Sequence, residues 1–297
     1  MRILSVGEVL WDVIGPTEHL GGAPLNFAAH AHKLGHEVFL LSAVGDDERG
    51  RRALELIRER GISTDFIRVL PDQRTGIAEV ELDLAGKPTF TIVRPAAYDF
   101  VELSAQDVQA ITELNPEWIC FGSLYHTSSH ALASTLKLLQ ALPAAKRFYD
   151  VNLREGNWNL AAVEQLSARS TVVKLSDVEA ESLDAMVDAD EPNGSLETFC
   201  RRWSDRFGCT TVCITCGERG CSIFKDQHFS QVPGFHVEVA DTVGAGDAFS
   251  AAFVHGLSQG WETQQIGRFA NAVGALVASR PGAIPEWNVD EVWTTLG

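Results

Sequence analysis

The run Asp241–Phe253, DTVGAGDAFSAAF, sets three small residues, Gly244, Ala245 and Gly246, and an acid, Asp247, at the head of an apolar segment that reads as a helix. The first turn of a helix carries unpaired N–H groups and the positive end of the helix dipole. Small side chains leave those donors uncovered, so an anion can come close to the main chain. A carboxylate beside such a cradle repels what the cradle attracts. It makes chemical sense if the acid takes a proton from a hydroxyl that attacks phosphorus while the amides stabilise charge on the group in transfer. Phosphoryl transfer accounts for both features; the plain alternative is a capped helix whose Asp247 complements the dipole.

A second cluster could bind metal. Cys209, Cys213, Cys216 and Cys221 fall together in CTTVCITCGERGC. TTVCIT alternates like a buried strand, which sends Cys213 and Cys216 to opposite faces, whereas tetrahedral zinc needs converging ligands. The expectation is buried, reduced thiols in a reducing compartment.

The elements that must position the Gly-Ala-Gly-Asp run follow a simple rhythm. Arg2–Val6 reads as a strand, PLNFAAHAHKLG as a helix stopped by Gly35, EVFLLSAVG as a strand and DERGRRALELIRERG as a helix ending at Gly61. The pairing recurs in EWICFG before SSHALASTLKLLQAL, KRFYDVN before LAAVEQLSA, and TVVKLS before VEAESLDAM. Repeated strand-then-helix units predict a mostly parallel sheet with helices on its faces. One segment breaks the rhythm: TGIAEVELDLAGKPTFTIVR, Thr75 to Arg94, holds two alternating runs joined by LAGKP and predicts an antiparallel hairpin. Such a hairpin fits poorly into a parallel sheet and is expected as a small β flap, with VLWDVIG adding a strand to it.

The chain has 297 residues, 45% of them hydrophobic, enough for one large domain with an embellishment. A formal charge of -16 repels a phosphate backbone, and no dense Lys/Arg run overcomes it locally, so nucleic acid is not an expected partner. No apolar run nears the roughly 20 residues a bilayer crossing needs, and MRILSVGEVLWDVIG, broken by Glu8 and Asp12, is not read as a signal peptide. A cytoplasmic protein without membrane contact is the expectation.

With these residues in view, DTVGAGD resembles the C-terminal signature of the PfkB carbohydrate kinases, the ribokinase-like family. GGAPLNFAAHAHKLG resembles the family's N-terminal Gly-Gly segment, and VGDDERG, DVNLR and TCGERG match blocks between them, so the likeness covers nearly the whole chain. The resemblance implies a three-layer α/β/α sandwich with a mostly parallel central sheet, one domain over residues 1–297, and a β lid from about 9–20 and 75–97. It implies ATP-dependent phosphorylation of a sugar hydroxyl, with Asp247 as base and Gly244, Ala245 and Gly246 as anion hole. Asp12, Gly21, Gly22 and Asn26 would meet the sugar, Asp12 taking two hydroxyl hydrogen bonds. Thr215, Gly217 and Gly220 of TCGERG, Asn271 on a later helix, and Arg154 of DVNLR would meet the nucleotide.

The family's Asn-x-x-Glu motif, which helps organise Mg2+ through water, here reads Ser176 and Glu179. Serine can still bond a metal-bound water but lacks the amide's two-ended geometry. The Ser-Asp pair at 176–177 resembles several fructokinases. A monovalent cation, K+, near Asp241, Ser279 and Gly282 is a family habit. GEVLWDV, GGAPLNFA, AAYDF and FGSLYH look most like bacterial fructokinases, so fructose is the first expected sugar. Arg94, Tyr98 and Asp99 would reach it from the flap. An Arg beside an aromatic also suits a carboxylated sugar such as 2-keto-3-deoxygluconate, and ribokinase-like or adenosine-kinase-like activity stays in view. His126 is read as structural. A homodimer through the lid is expected, and a sugar-binding regulator without turnover is the alternative from another class.

Overall fold

The computed structural model describes residues 1–82, 88–187 and 194–296. Among these, nine strands form one sheet: Arg2–Val6 (β1), Glu37–Gly45 (β4), Ile67–Leu70 (β5), Trp118–Gly122 (β8), Lys146–Asp150 (β9), Val172–Ser176 (β10), Thr211–Thr215 (β11), Cys221–Lys225 (β12) and His228–Val232 (β13). Their order is β13-β12-β11-β10-β9-β8-β1-β4-β5, parallel from β5 to β11, with β12 and β13 antiparallel at one edge. A separate four-stranded sheet pairs Thr17–Gly21 (β3), Leu10–Ile14 (β2), Gly76–Leu82 (β6) and Pro88–Val93 (β7) in that order. The β6–β7 pair is the expected antiparallel hairpin, and β2 joins it in parallel. The turn expected within LAGKP lies outside the described residues apart from Pro88, which opens β7.

Helices cover both faces of the large sheet because its strands are apolar on both sides, as parallel strands under crossover helices must be. One face holds Ala23–Lys33 (α1), Glu48–Glu59 (α2), Ala245–Ser258 (α8), Thr263–Ala278 (α9) and Val289–Leu296 (α10). The other holds Ala105–Leu114 (α3), Ser129–Ala141 (α4), Leu160–Ser167 (α5), Asp177–Val187 (α6) and Leu196–Phe207 (α7). Alternation along β1 puts Ile3 in the first core and Leu4 and Val6 in the second. The same alternation parts the cysteines: Cys213 joins the first core and Cys216 packs against the second, and among the described residues no group of three or more His, Cys, Asp or Glu side chains converges on a metal site. Among the described residues no helix is long and apolar enough to cross a membrane.

Candidate active site

The chain enters α8 through Gly244, whose φ of 79° suits glycine, and a Cβ there would lie 2.3 Å from the Ala283 carbonyl oxygen. The Ala245 amide donates to the Thr242 carbonyl at 3.3 Å and the Ala248 amide to that of Gly244 at 2.9 Å. Gly244, Gly246 and Asp247 therefore hold the uncommitted amides of this turn among the described residues. Gly244 supplies the bend, Ala245 is turned to Thr242, and Gly244, Gly246 and Asp247 offer their amides.

Asp247 is held by a helix from the far end of the chain, packed beside α8 on the same face of the sheet. α1 begins after Gly22, and Asn26 in its first turn donates from Nδ2 to Asp247 Oδ2 at 2.8 Å. Asn26 is buried, and its Oδ1 has no partner among the described residues, leaving one acceptor on the cavity wall. Burial raises the Asp247 pKa to about 6; Asn26 and Lys174 pull it down, and Asp150 pushes it up. The result is a carboxyl near the middle of the range a neutral-pH base needs.

Asp247 lines a cavity of about 390 Å³ together with Gly22, Asn26, Gly244, Gly246 and Arg154. The small sheet forms its roof with Leu10, Asp12, Ala78 and Ile92. Asp12 stands opposite His19 in the β2–β3 pair, and burial raises its pKa to about 6. Gly21 does not line the cavity: a Cβ on it would lie 2.7 Å from Asp12 Oδ2, so its smallness makes room for that carboxylate.

The three residues expected to reach the sugar from the flap stand apart from this cavity. Arg94 donates to both Asp99 oxygens, to the Leu124 carbonyl and to Thr127 Oγ1. Asp99 also accepts from the Ala96 amide at 2.9 Å, and Tyr98 is fully buried. None of the three lines the cavity: Arg94 and Asp99 anchor the end of β7 to the core, and the Tyr98 hydroxyl is buried with no partner among the described residues. His126 is structural, buried with its ring nitrogens on the Gly122 carbonyl and Thr135 Oγ1, and burial lowers its pKa to about 4.

Apart from Arg154, the remaining residues lie beyond the cavity. Thr215 ends β11 and donates to the Leu175 carbonyl at 3.3 Å, and Gly217 and Gly220 form the turn into β12. Asn271 donates both Nδ2 hydrogens to the Val232 and Pro233 carbonyls at 3.2 and 3.1 Å, so it braces the end of β13, and its Oδ1 keeps its capacity as an acceptor. Arg154 is exposed at the cavity rim and donates to Asn152 Oδ1 at 2.6 Å. Ser176 and Glu179 cap α6 reciprocally, and Glu179 also accepts from the Leu153 amide. Each carboxylate oxygen keeps a second lone pair, so Glu179 suits a magnesium ion through a bound water, where the ion would neutralise phosphate charge. Asp241 accepts from the Val243 and Gly282 amides, each at 3.0 Å, and so ties the approach to α8 to the loop after α9.

Two cavity residues escaped the sequence reading. Glu8 is buried, and burial raises its pKa to about 7, with Asp247 adding to the rise. Lys174 is buried in the middle of β10; burial pulls its ammonium toward neutrality, but Asp150, Glu179 and Asp247 outweigh that and hold its pKa above the ordinary value. A single charged residue inside an apolar strand, TVVKLS, is the signal that marks it.

The pattern described as the pfkB family carbohydrate kinase matches residues 3–289. The chain is a member of the PfkB family of carbohydrate kinases. This carbohydrate kinase is 30% identical to fructokinase-1 of Oryza sativa subsp. japonica over 95% of its own length and 93% of the relative's. A fructokinase of Xylella fastidiosa, solved with bound ATP, superposes with a TM-score of 0.87 at 25% identity, covering 99% of this chain and 98% of that one. A 2-dehydro-3-deoxygluconokinase of Thermotoga maritima gives the same TM-score of 0.87 at 19% identity over 100% and 99% of the two chains, which speaks to the shared ribokinase-like fold alone.

Proposed function

We propose that this kinase transfers the γ-phosphoryl group of ATP to fructose, giving fructose 6-phosphate, with Asp247 as general base and the amides at the head of α8 receiving the transferred group. The observation that carries the reading is Asp247 itself: a half-buried carboxylate in the first turn of α8, fixed by Asn26 and opening on a cavity that it shares with Asp12. A sugar enclosed there meets Glu8, Asp12 and Asp247, acceptors that suit the hydroxyls of a neutral sugar. The small sheet acts as the lid, and the nucleotide approaches along the ends of β10 and β11, past Ser176, Thr215, Gly217 and Gly220, bringing its magnesium with it.

A carboxylated sugar is the second reading, favoured by Arg154 at the rim. Arg94, which would have held such a sugar from the flap, is committed to Asp99. The test is ADP release from magnesium ATP with fructose, ribose, 2-keto-3-deoxygluconate and adenosine. The highest kcat/KM is expected with fructose; a higher value with another sugar reassigns the substrate, and sugar binding without ADP release from any of them identifies a regulator. Asp247→Asn is expected to retain sugar binding and lose at least about a hundredfold in turnover, the low end for a missing general base. Near wild-type turnover in that variant refutes the base.

A further inference from the structure

β10, with the sequence VVKLS, is buried along almost its whole length, and Lys174 is its one charged residue. An ammonium in the middle of a sheet carries a desolvation penalty of several kcal/mol unless it is paired. Its partner is Asp150, the residue opposite it in the β9–β10 register, with Nζ 3.1 and 2.9 Å from the two carboxylate oxygens. Ser250 of α8 donates to Asp150 Oδ2 at 2.8 Å, so this carboxylate is held by the sheet on one side and by the site's own helix on the other.

A cross-strand ion pair could serve stability alone, and three observations take Lys174 further. It lines the cavity that holds Gly244, Gly246 and Asp247. Its Nζ would lie 3.6 Å from a Cβ built on Gly246, which puts the ammonium beside the turn that offers free amides. An ammonium has three N–H donors; Asp150 takes two, and among the described residues no other acceptor lies within hydrogen-bond distance. Arg154, the other cation on the wall, is exposed at the rim and bonded to Asn152, so Lys174 is the buried positive charge of the site.

We propose that Lys174 is a catalytic residue whose ammonium contacts the phosphoryl group in transfer, with Asp150 and Ser250 as the residues that position it. This rests on reading the cavity as a phosphoryl-transfer site. In that step the bond from the γ-phosphorus to the leaving ADP oxygen breaks, a bond from the sugar oxygen to phosphorus forms, and the hydroxyl proton passes to Asp247. The negative charge spreads over the equatorial oxygens. Free amides supply partial positive charge there, and Lys174 supplies a full one from a buried side chain. Lys174 also shares its strand face with Ser176, two residues on, so its charge stands on the side of β10 where serine replaces the family's asparagine.

The test compares wild type, Lys174→Met and the double variant Lys174→Met/Asp150→Asn. The double variant removes both charges of the pair and leaves no unpaired carboxylate buried, so it separates catalysis from folding. It is expected to melt within a few degrees of wild type and to lose at least about a hundredfold in kcat, the scale of one lost donor to a developing oxyanion, while the KM for the sugar holds within about threefold. Binding of β,γ-imido-ATP should weaken about tenfold and that of ADP less than twofold, the mark of one charge-assisted bond to the terminal phosphate. Recovery of turnover in the double variant makes Lys174 a structural partner of Asp150 and overturns the proposal. Equal losses for both nucleotides, or a raised sugar KM with unchanged kcat, overturn it as well. Should wild type release no ADP with any sugar, the phosphoryl-transfer reading falls and this inference with it; failure of Lys174 alone leaves the kinase standing.

Discussion

As the proposed base, Asp247 must be ionised to act, and its surroundings decide at what pH that happens. Burial raises its pKa to about 6 against the pull of the Asn26 hydrogen bond. The expected pH profile of kcat/KM therefore rises through about pH 6 and levels off above it, since protons on Asp247 block transfer below that point. Asp12, also raised to about 6 by burial, adds to the same limb and steepens it. Asn26→Ala removes an interaction that lowers the Asp247 pKa, so its acid limb should move to higher pH. Profiles of the two proteins under identical conditions check this: a limb that stays in place dissociates Asn26 from the base.

At the scale of elements, the cradle depends on how α8 begins. His30 of α1 donates from Nε2 to the Ala283 carbonyl at 3.0 Å and accepts from Trp287 Nε1 at 3.1 Å, which fixes one neutral tautomer and pins the loop at Ala283. That same carbonyl lies where a side chain on Gly244 would go. Gly244→Ala would thus suffer both a left-handed backbone and a collision with a carbonyl that cannot retreat. It is expected to lower the free energy of unfolding by roughly 1–3 kcal/mol, the range for strained backbone positions, and to reduce turnover by loosening the turn that aims the amides. Urea denaturation beside kcat measurement checks both; an alanine that is neutral in both shows that the bend does not need glycine.

For the whole molecule, Glu8, Asp12 and Asp247 gather around one cavity in a chain of formal charge -16. All three have pKa values above the ordinary carboxylate range, about 7, 6 and 6, chiefly because burial disfavours their charged forms. A carboxyl whose pKa is higher in the folded than in the unfolded state binds its proton more tightly when folded. Its contribution to stability is present below the ordinary carboxylate pKa and is lost as the pH rises through 6 to 7. Glu8→Gln abolishes one such loss, so it should raise the urea midpoint over wild type more at pH 8 than at pH 5. An equal gain at both values means Glu8 titrates as an ordinary carboxyl.

Local chemistry carried the reading of the chain a long way. Alternating strand and helix patterns predicted the parallel sheet and its two helical layers, because periodicity is a property of neighbouring residues. Small residues before an acid and an apolar run marked the head of α8 for the same reason. What local pattern does not encode is which distant groups compete for a side chain. Asn26 and Asp247 are 221 positions apart and meet because α1 and α8 pack on one face of the sheet. Lys174 finds Asp150 through strand register, and Arg94, chemically fit for a sugar, is taken by Asp99, Leu124 and Thr127 before any ligand arrives. Residue type proposes a partner; the packing of remote segments, which sets distance and burial, chooses it.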